Sequence, residues 1–322
     1  MVTAQLPGLS CPFPGNMNPF VKKSDLHTAS WVRKLNLVTD HSVWQGYQQQ
    51  KFTWMVARMF PNASLFALNI ASDFNTLLFL WDDEIDRISG DGHSEGFEML
   101  VRRILDILKG KSNPAAEAAS PILIAMRDIW KRMQQLGDTP WQQRFAKSLQ
   151  AAFTANSWRM QHVTDLNAIS LEEYMEYRPG IGGANFFVDL AEIMENVHLP
   201  EHYYADPLVK KLAAYCSRTI CWANDIFSFP KELEQGDELN LVMMMKNKKQ
   251  LPLEDAITAA VAVHDNEIQE FLHTAEVLLA LSPASDRPLL GRYILMLEHM
   301  MEGNISWSTK DTIRYNQLQL VG

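Results

Sequence analysis

The segment NDIFSFPKE, residues 224–232, carries an amide, a hydroxyl and a carboxylate at four-residue intervals: Asn224, Ser228 and Glu232. At 3.6 residues per turn these oxygens share one helical face, which is how a helix presents a row of ligands. A second acidic group ends an apolar run, LLFLWDDEIDR, where Asp82, Asp83 and Asp86 fall at i, i+1 and i+4. Carboxylates gathered at the negative end of a helix repel one another unless cations neutralise them. Oxygen donors with no His or Cys among them suit Mg2+ or Mn2+ better than zinc. Each group alone has a plainer reading, a solvated helix end for the aspartates and a polar stripe for residues 224–232. Together they suit several Mg2+ ions that share their coordination with polyphosphate oxygens. Pro230 has no N–H for the Ile226 carbonyl, so a bend or a loosened turn is expected within the second motif.

The elements that must position these groups read as helices almost throughout, and the expected fold class is all-α. Helical periodicity runs near 40–60, 63–88, 95–109, 115–136, 140–164, 171–178, 183–197, 206–234, 253–281 and 286–302, with a last stretch through 315. The Pro-rich residues 1–20 read as a surface strap. Breaks are expected at GDG (90–92), SNP (112–114), GDTP (137–140), RPGIGG (178–183) and SPASDRP (282–288). With no long linker and no repeat, residues 1–322 are expected to form one antiparallel helical domain.

Twenty-nine basic against thirty-eight acidic residues give a charge of −9, which argues against nucleic acid or an anionic membrane as the main partner. Cys11, Cys216 and Cys221 form no CxxC pair and read as reduced, buried thiols of a cytoplasmic protein. No basic leader and no long apolar run is present, so no export and no membrane span is expected. GHSEG at 92–96 satisfies G-x-S-x-G but follows a polar loop instead of a buried strand. Ser228 and Lys231 spell S-x-x-K without the partner motifs of that chemistry. His198 and His202 flank Pro200 and are not expected to share a helical metal face.

DDEID at 82–86 resembles the aspartate-rich motif of class I terpene synthases, and residues 224–232 resemble their second metal motif, Asn-Asp-x-x-Ser-x-x-Lys-Glu, at every specified position. Arg178, 46 residues before Asn224, stands where these enzymes resemble one another in carrying a diphosphate-sensing arginine. Arg314-Tyr315 resembles their C-terminal Arg-Tyr pair, and PFPGNMNPF at 12–20 their N-terminal strap. The likeness is to the compact microbial type. It implies a helical bundle around an apolar, diphosphate-capped cavity, in which a linear prenyl diphosphate is ionised and cyclised with Mg2+, or alternatively Mn2+.

By that resemblance Asp82, with Asp86 and the adjacent Asp83, holds two Mg2+ ions, and Asn224, Ser228 and Glu232 hold a third. Arg178, Lys231, Arg314 and Tyr315 would donate hydrogen bonds to the diphosphate. Phe79, one turn before Asp82, and Trp307 are candidate aromatic faces for the carbocation, whereas Phe186 and Phe187 read as ordinary core. One departure is Ile181, where the family often has an acidic residue; the next position, Gly182, keeps the small effector residue. Farnesyl diphosphate is the expected substrate, as the commonest among compact enzymes of this type. Geranylgeranyl diphosphate, giving a diterpene, is the main alternative and geranyl diphosphate a lesser one. A chain-elongating prenyltransferase would need a second aspartate-rich motif, and a catalytically silent all-α binding protein would not need intact metal ligands. The expected assembly is a monomer or homodimer.

Overall fold

Short polar caps start many of the helices. The structure, a computed structural model, describes residues 5–89, 94–111, 120–163, 165–315 and 319–321. The chain passes through α1 (Val21–Lys34), α2 (His41–Gln50), α3 (Phe52–Met59), α4 (Leu65–Ser89) and α5 (Ser94–Leu108). It continues through α6 (Pro121–Met133), α7 (Thr139–His162), α8 (Leu171–Ile181), α9 (Ala184–Met194) and the single turn α10 (Glu201–Ala205). The long α11 (Pro207–Gln235), α12 (Leu241–Lys248), α13 (Leu253–Leu281) and α14 (Arg287–Ser306) follow, and α14 runs into a π-helical turn, Trp307–Asp311. Asp40, Ser120, Asp138, Asp206 and Asn240 accept from the first backbone N–H groups of α2, α6, α7, α11 and α12. Ser170 and Glu173 close a capping box on α8. Each such cap stabilises its helix by about 1 kcal/mol.

The class is all-α as expected, apart from a parallel pair of three-residue strands, β1 (Gln5–Pro7) and β2 (Gln319–Val321). The buried core threads through the bundle, with α11 packed most extensively on α13 and also on α14 and α9. On the other side α3 lies between α14 and α4. The approach of α14 to α3 is close: a Cβ at Gly303 would stand 2.7 Å from backbone atoms of Arg58 and Met59. No helix among the described residues is long and apolar enough to cross a membrane.

Several expected boundaries are corrected. The helix near 40–60 divides at Lys51, whose left-handed φ of 57° ends α2 and starts α3 without any glycine to announce it. A further helix, α1, precedes it. Its buried face includes Ser24 and Thr28, which hydrogen-bond to Ser72 and Asp73 at 3.1 and 2.7 Å, so apolar periodicity does not reveal it. The helix after 171 does not stop at Arg178; it continues through Pro179 and Gly180 to Ile181. The break comes at Gly183, whose φ of 71° suits a residue without a Cβ. α11 runs uninterrupted through Pro230, so the expected loosening does not divide it. Of the cysteines, Cys216 and Cys221 are buried free thiols, but Cys11 is only half-buried. GDG (90–92), SNP (112–114) and the start of the helix expected at 115 lie outside the described residues, as do Gly92 and His93 of GHSEG.

Candidate active site

A cavity of about 320 Å3 lies where α3, α4, α7, α8, α9, α11 and α14 converge. Its lining is in part aromatic, with Phe79, Trp81, Phe97, Phe153, Phe186, Phe187 and Trp307. Polar and charged groups gather with them: Arg178, Asn224, Asp225, Ser228, Lys231, Glu232, Arg314 and Tyr315. Ten of the residues singled out in the sequence therefore line one space: Phe79, Arg178, Gly182, Asn224, Ser228, Lys231, Glu232, Trp307, Arg314 and Tyr315. Asp82, Asp83 and Asp86 belong to the final turns of α4, and their side chains lie outside the described residues. Phe186 and Phe187 are more than the ordinary core expected of them. Both pack against Phe74, and both also face the cavity.

Arg178 is held by α11 instead of by an acid beside it on α8. Its Nε donates to Asp225 Oδ1 at 2.8 Å, and its Nη2 donates to Asn224 Oδ1 at 2.8 Å while lying 2.6 Å from Asp225 Oδ1. The other Asp225 oxygen accepts from the Tyr174 hydroxyl and, at 2.9 Å, from the Leu241 N–H. Burial is the largest single effect on Arg178 and opposes its charge, but Asp225, with Tyr174 and Cys221, together outweigh it and push the guanidinium pKa further up. Burial, reinforced by that carboxylate, pushes the Tyr174 phenol well up, so it remains a donor. The absence of an acid at Ile181 is thus offset by a carboxylate that sequence reasoning had not singled out. Asp225 was a specified letter of the second motif, and that letter was the available signal.

Gly182 is fitted to this guanidinium. A Cβ there would stand 2.4 Å from Arg178 Nη1 and 3.1 Å from Cys221 Sγ. Its own φ is −77°, so alanine brings no backbone strain. Gly182→Ala is expected to push Arg178 off its partners and lower kcat/KM by roughly 10- to 100-fold, the worth of a charge-assisted hydrogen bond. The thermal midpoint should stay within a few degrees; steady-state kinetics beside a thermal melt check both.

Among the metal-type ligands, Ser228 Oγ is buried without a hydrogen bond of ordinary geometry, although it lies close enough to lower the Glu232 pKa slightly. Burial pushes the Glu232 carboxyl up and Asp225 adds to this, against smaller opposing effects of Asn240, Arg178 and Ser228. A buried hydroxyl with unmet bonding capacity beside a carboxyl whose charge burial and Asp225 disfavour suits a hard divalent ion.

The C-terminal pair is anchored from α2. Gln50 accepts the Trp307 indole N–H at its carbonyl, at 3.0 Å, and the Arg314 guanidinium at its side chain. Arg314 lies 5.5 Å from the Phe79 ring and 6.0 Å from that of Phe52, and these two rings stack at 3.7 Å. Tyr315 accepts from Asn224 Nδ2 at 2.9 Å. Gln50 and Phe52 had no sequence signal, because their role depends on where α2 turns into α3.

Comparison with known proteins follows the same lines. Residues 73–270 match the family described as terpene synthase family 2, C-terminal metal binding. (+)-Eremophilene synthase of Sorangium cellulosum is 30% identical over 312 residues, covering 97% of this chain and 93% of that protein. (+)-T-muurolol synthase of Roseiflexus castenholzii, described as (2E,6E)-farnesyl diphosphate cyclizing, is 28% identical over 301 residues, covering 94% of this chain and 91% of its own. Germacradien-4-ol synthase from Streptomyces citricolor superposes with a TM-score of 0.80 at 21% identity, over 93% of this chain and 97% of its own. The chain belongs to the terpene synthase family, with the helical fold of the class I enzymes.

Proposed function

We propose that this chain ionises farnesyl diphosphate and cyclises it to a sesquiterpene, and that it works as one catalytic domain. The observation that carries the proposal is the cavity, in which an aromatic wall meets oxygen ligands and cationic donors. Its volume of about 320 Å3 falls within the range of ligand pockets, roughly 300–1,000 Å3. The curated relatives support the same substrate class, one of them being described as cyclising farnesyl diphosphate.

Asp82, Asp83 and Asp86 on α4, and Asn224, Ser228 and Glu232 on α11, are the residues that would hold Mg2+, with Mn2+ as an alternative and three ions as the expected number. When bound, such ions supply positive charge that favours departure of the diphosphate with the electron pair of the allylic C–O bond. Asn224 Oδ1 is the oxygen such an ion needs, and Arg178 donates to that atom in the structure. An amide oxygen has two lone pairs, so Asn224 Oδ1 could serve such an ion with Arg178 still beside it, and Arg178 would donate from there to the diphosphate. Lys231, Arg314 and Tyr315 offer further donors from the same wall. The aromatic wall then stabilises the cation without bonding to it and keeps water away until a proton is lost or water adds.

Extracts from incubations with geranyl, farnesyl and geranylgeranyl diphosphate, analysed by gas chromatography, test the reading. Cyclic fifteen-carbon products from farnesyl diphosphate are expected, and excess chelator should abolish them. Turnover of geranylgeranyl diphosphate alone would replace the sesquiterpene reading with the diterpene one. In the same assay Phe79→Leu, which keeps much of the volume but removes the π face, should shift products towards acyclic or alcohol species while diphosphate release persists. A face worth about 0.5–2 kcal/mol corresponds to a change of roughly 2- to 30-fold in product partition. An unaltered profile in Phe79→Leu and Phe79→Ala would make Phe79 a packing residue.

A further inference from the structure

Asn240 lies eight residues beyond Glu232, in the turn that leads into α12, and it is completely buried. Its Oδ1 accepts from the Val242 N–H at 2.9 Å, which is the helix cap. Its Nδ2 donates twice, to the Asp225 carbonyl at 2.8 Å and to Glu232 Oε2 at 2.8 Å. The amide orientation is fixed by chemistry, since the opposite one would set an oxygen against two acceptors and an NH2 against an N–H. The next residue completes the same clamp, with Leu241 N–H donating to Asp225 Oδ2 at 2.9 Å. A cap needs only the oxygen of this side chain. The cap leaves the amide nitrogen unexplained, and that nitrogen is what reaches the carboxylate.

We propose that Asn240 is a positioning residue for Glu232: by holding Oε2 it orients the carboxylate so that the other oxygen is presented to a divalent cation. This rests on Glu232 being a metal ligand, as proposed above. Partners that orient a ligating carboxylate typically contribute 10- to 100-fold in metal affinity. They act through geometry, so their loss shows in metal binding before it shows in the chemical step.

Serine at this position can still cap α12 through its hydroxyl but cannot donate to Glu232 as the amide does. Mn2+ binding in the presence of inorganic diphosphate, followed by electron paramagnetic resonance, is the direct readout. Asn240→Ser is expected to weaken Mn2+ binding by about tenfold and to raise the Mg2+ concentration for half-maximal turnover by a similar factor. Turnover at saturating Mg2+ should return towards wild type, and the thermal midpoint should change little. In a Glu232→Gln background the same substitution should weaken Mn2+ binding no further, because the path through the carboxylate is already lost. Should Asn240→Ser lose its fold, Asn240→Thr carries the test, since its hydroxyl also caps and adds no charge beside Glu232. Wild-type Mn2+ affinity in a folded Asn240 variant, or an undiminished extra loss in the Glu232→Gln background, overturns the proposal. Failure of the wild-type protein itself to bind Mn2+ with diphosphate overturns the ligand reading of Glu232 and the proposal with it.

Discussion

Glu232→Gln and Asn224→Leu are each expected to lower turnover of farnesyl diphosphate by on the order of a thousandfold, with the protein still folded. Removing a single electrostatic partner of developing negative charge commonly costs 100- to 1,000-fold, roughly 3–4 kcal/mol at the transition state. Here the lost group also helps to bind the cation that meets that charge, so the effect should reach the upper part of the range. The fold has little reason to suffer in Glu232→Gln. Burial and Asp225 already disfavour the ionised carboxyl, and a neutral amide oxygen can still accept from Asn240. Asn224→Leu loses the contacts with Arg178 and Tyr315, yet Arg178 keeps Asp225. Steady-state rates at saturating Mg2+, set beside thermal melts, decide the matter. Near wild-type turnover in either variant would reduce the 224–232 row to a polar stripe.

The second large effect is on stability. Asp225→Ala removes the acceptor shared by Arg178, Tyr174 and the Leu241 N–H, in a place where the carboxylate is about 1% exposed. Breaking a buried ion pair from one side costs about 3–5 kcal/mol, because the remaining charge has neither water nor a partner. For a chain of this size that corresponds to a thermal midpoint lower by roughly 4–8 °C. Tyr174→Phe should cost about 1–2 kcal/mol, as loss of one hydrogen bond does. The double variant Asp225→Ala, Arg178→Met removes the stranded charge and should melt higher than Asp225→Ala alone. A double variant that melts no higher would place the cost in the tyrosine and backbone contacts instead of the ion pair. Calorimetry on the four proteins gives the comparison.

The sequence made the ligand row on α11 legible because the row depends on one long helix, where spacing alone fixes which residues share a face. The same argument passed over Asp225. One residue from Asn224 it turns about 100° around the helix, away from the row and towards α8 and α12, and nothing local says what waits there. Asn240 and Gln50 were hidden for the same reason, since Asn240 acts across a chain reversal on Glu232 of α11, and Gln50 acts on Arg314, far along the chain. α1 escaped a search for apolar periodicity because hydroxyls and Asp73 do part of its burying work. The doubled role of Phe186 and Phe187 follows from the size of aromatic rings, which can pack on Phe74 with one face and border the cavity with another. The extension of α8 past Arg178 shows that proline and glycine together did not end a helix whose buried face continues: Arg178, Pro179 and Gly180 are all buried.

The close contact of Gly303 with the backbone of Arg58 and Met59 bears on how descendants of this enzyme can acquire new products. α14 carries Asn304 and leads directly to Trp307, while α3 carries Met55 and Met59, and all four border the cavity. With the two helices in backbone contact, one cannot move inwards to shrink the chamber, and a side chain at 303 would wedge them apart and disturb the anchorage of the C-terminal pair as well. Heritable variation in ring size is thereby channelled into trimming or enlarging side chains such as Met55 and Met59. The scaffold is passed on intact while its lining diverges.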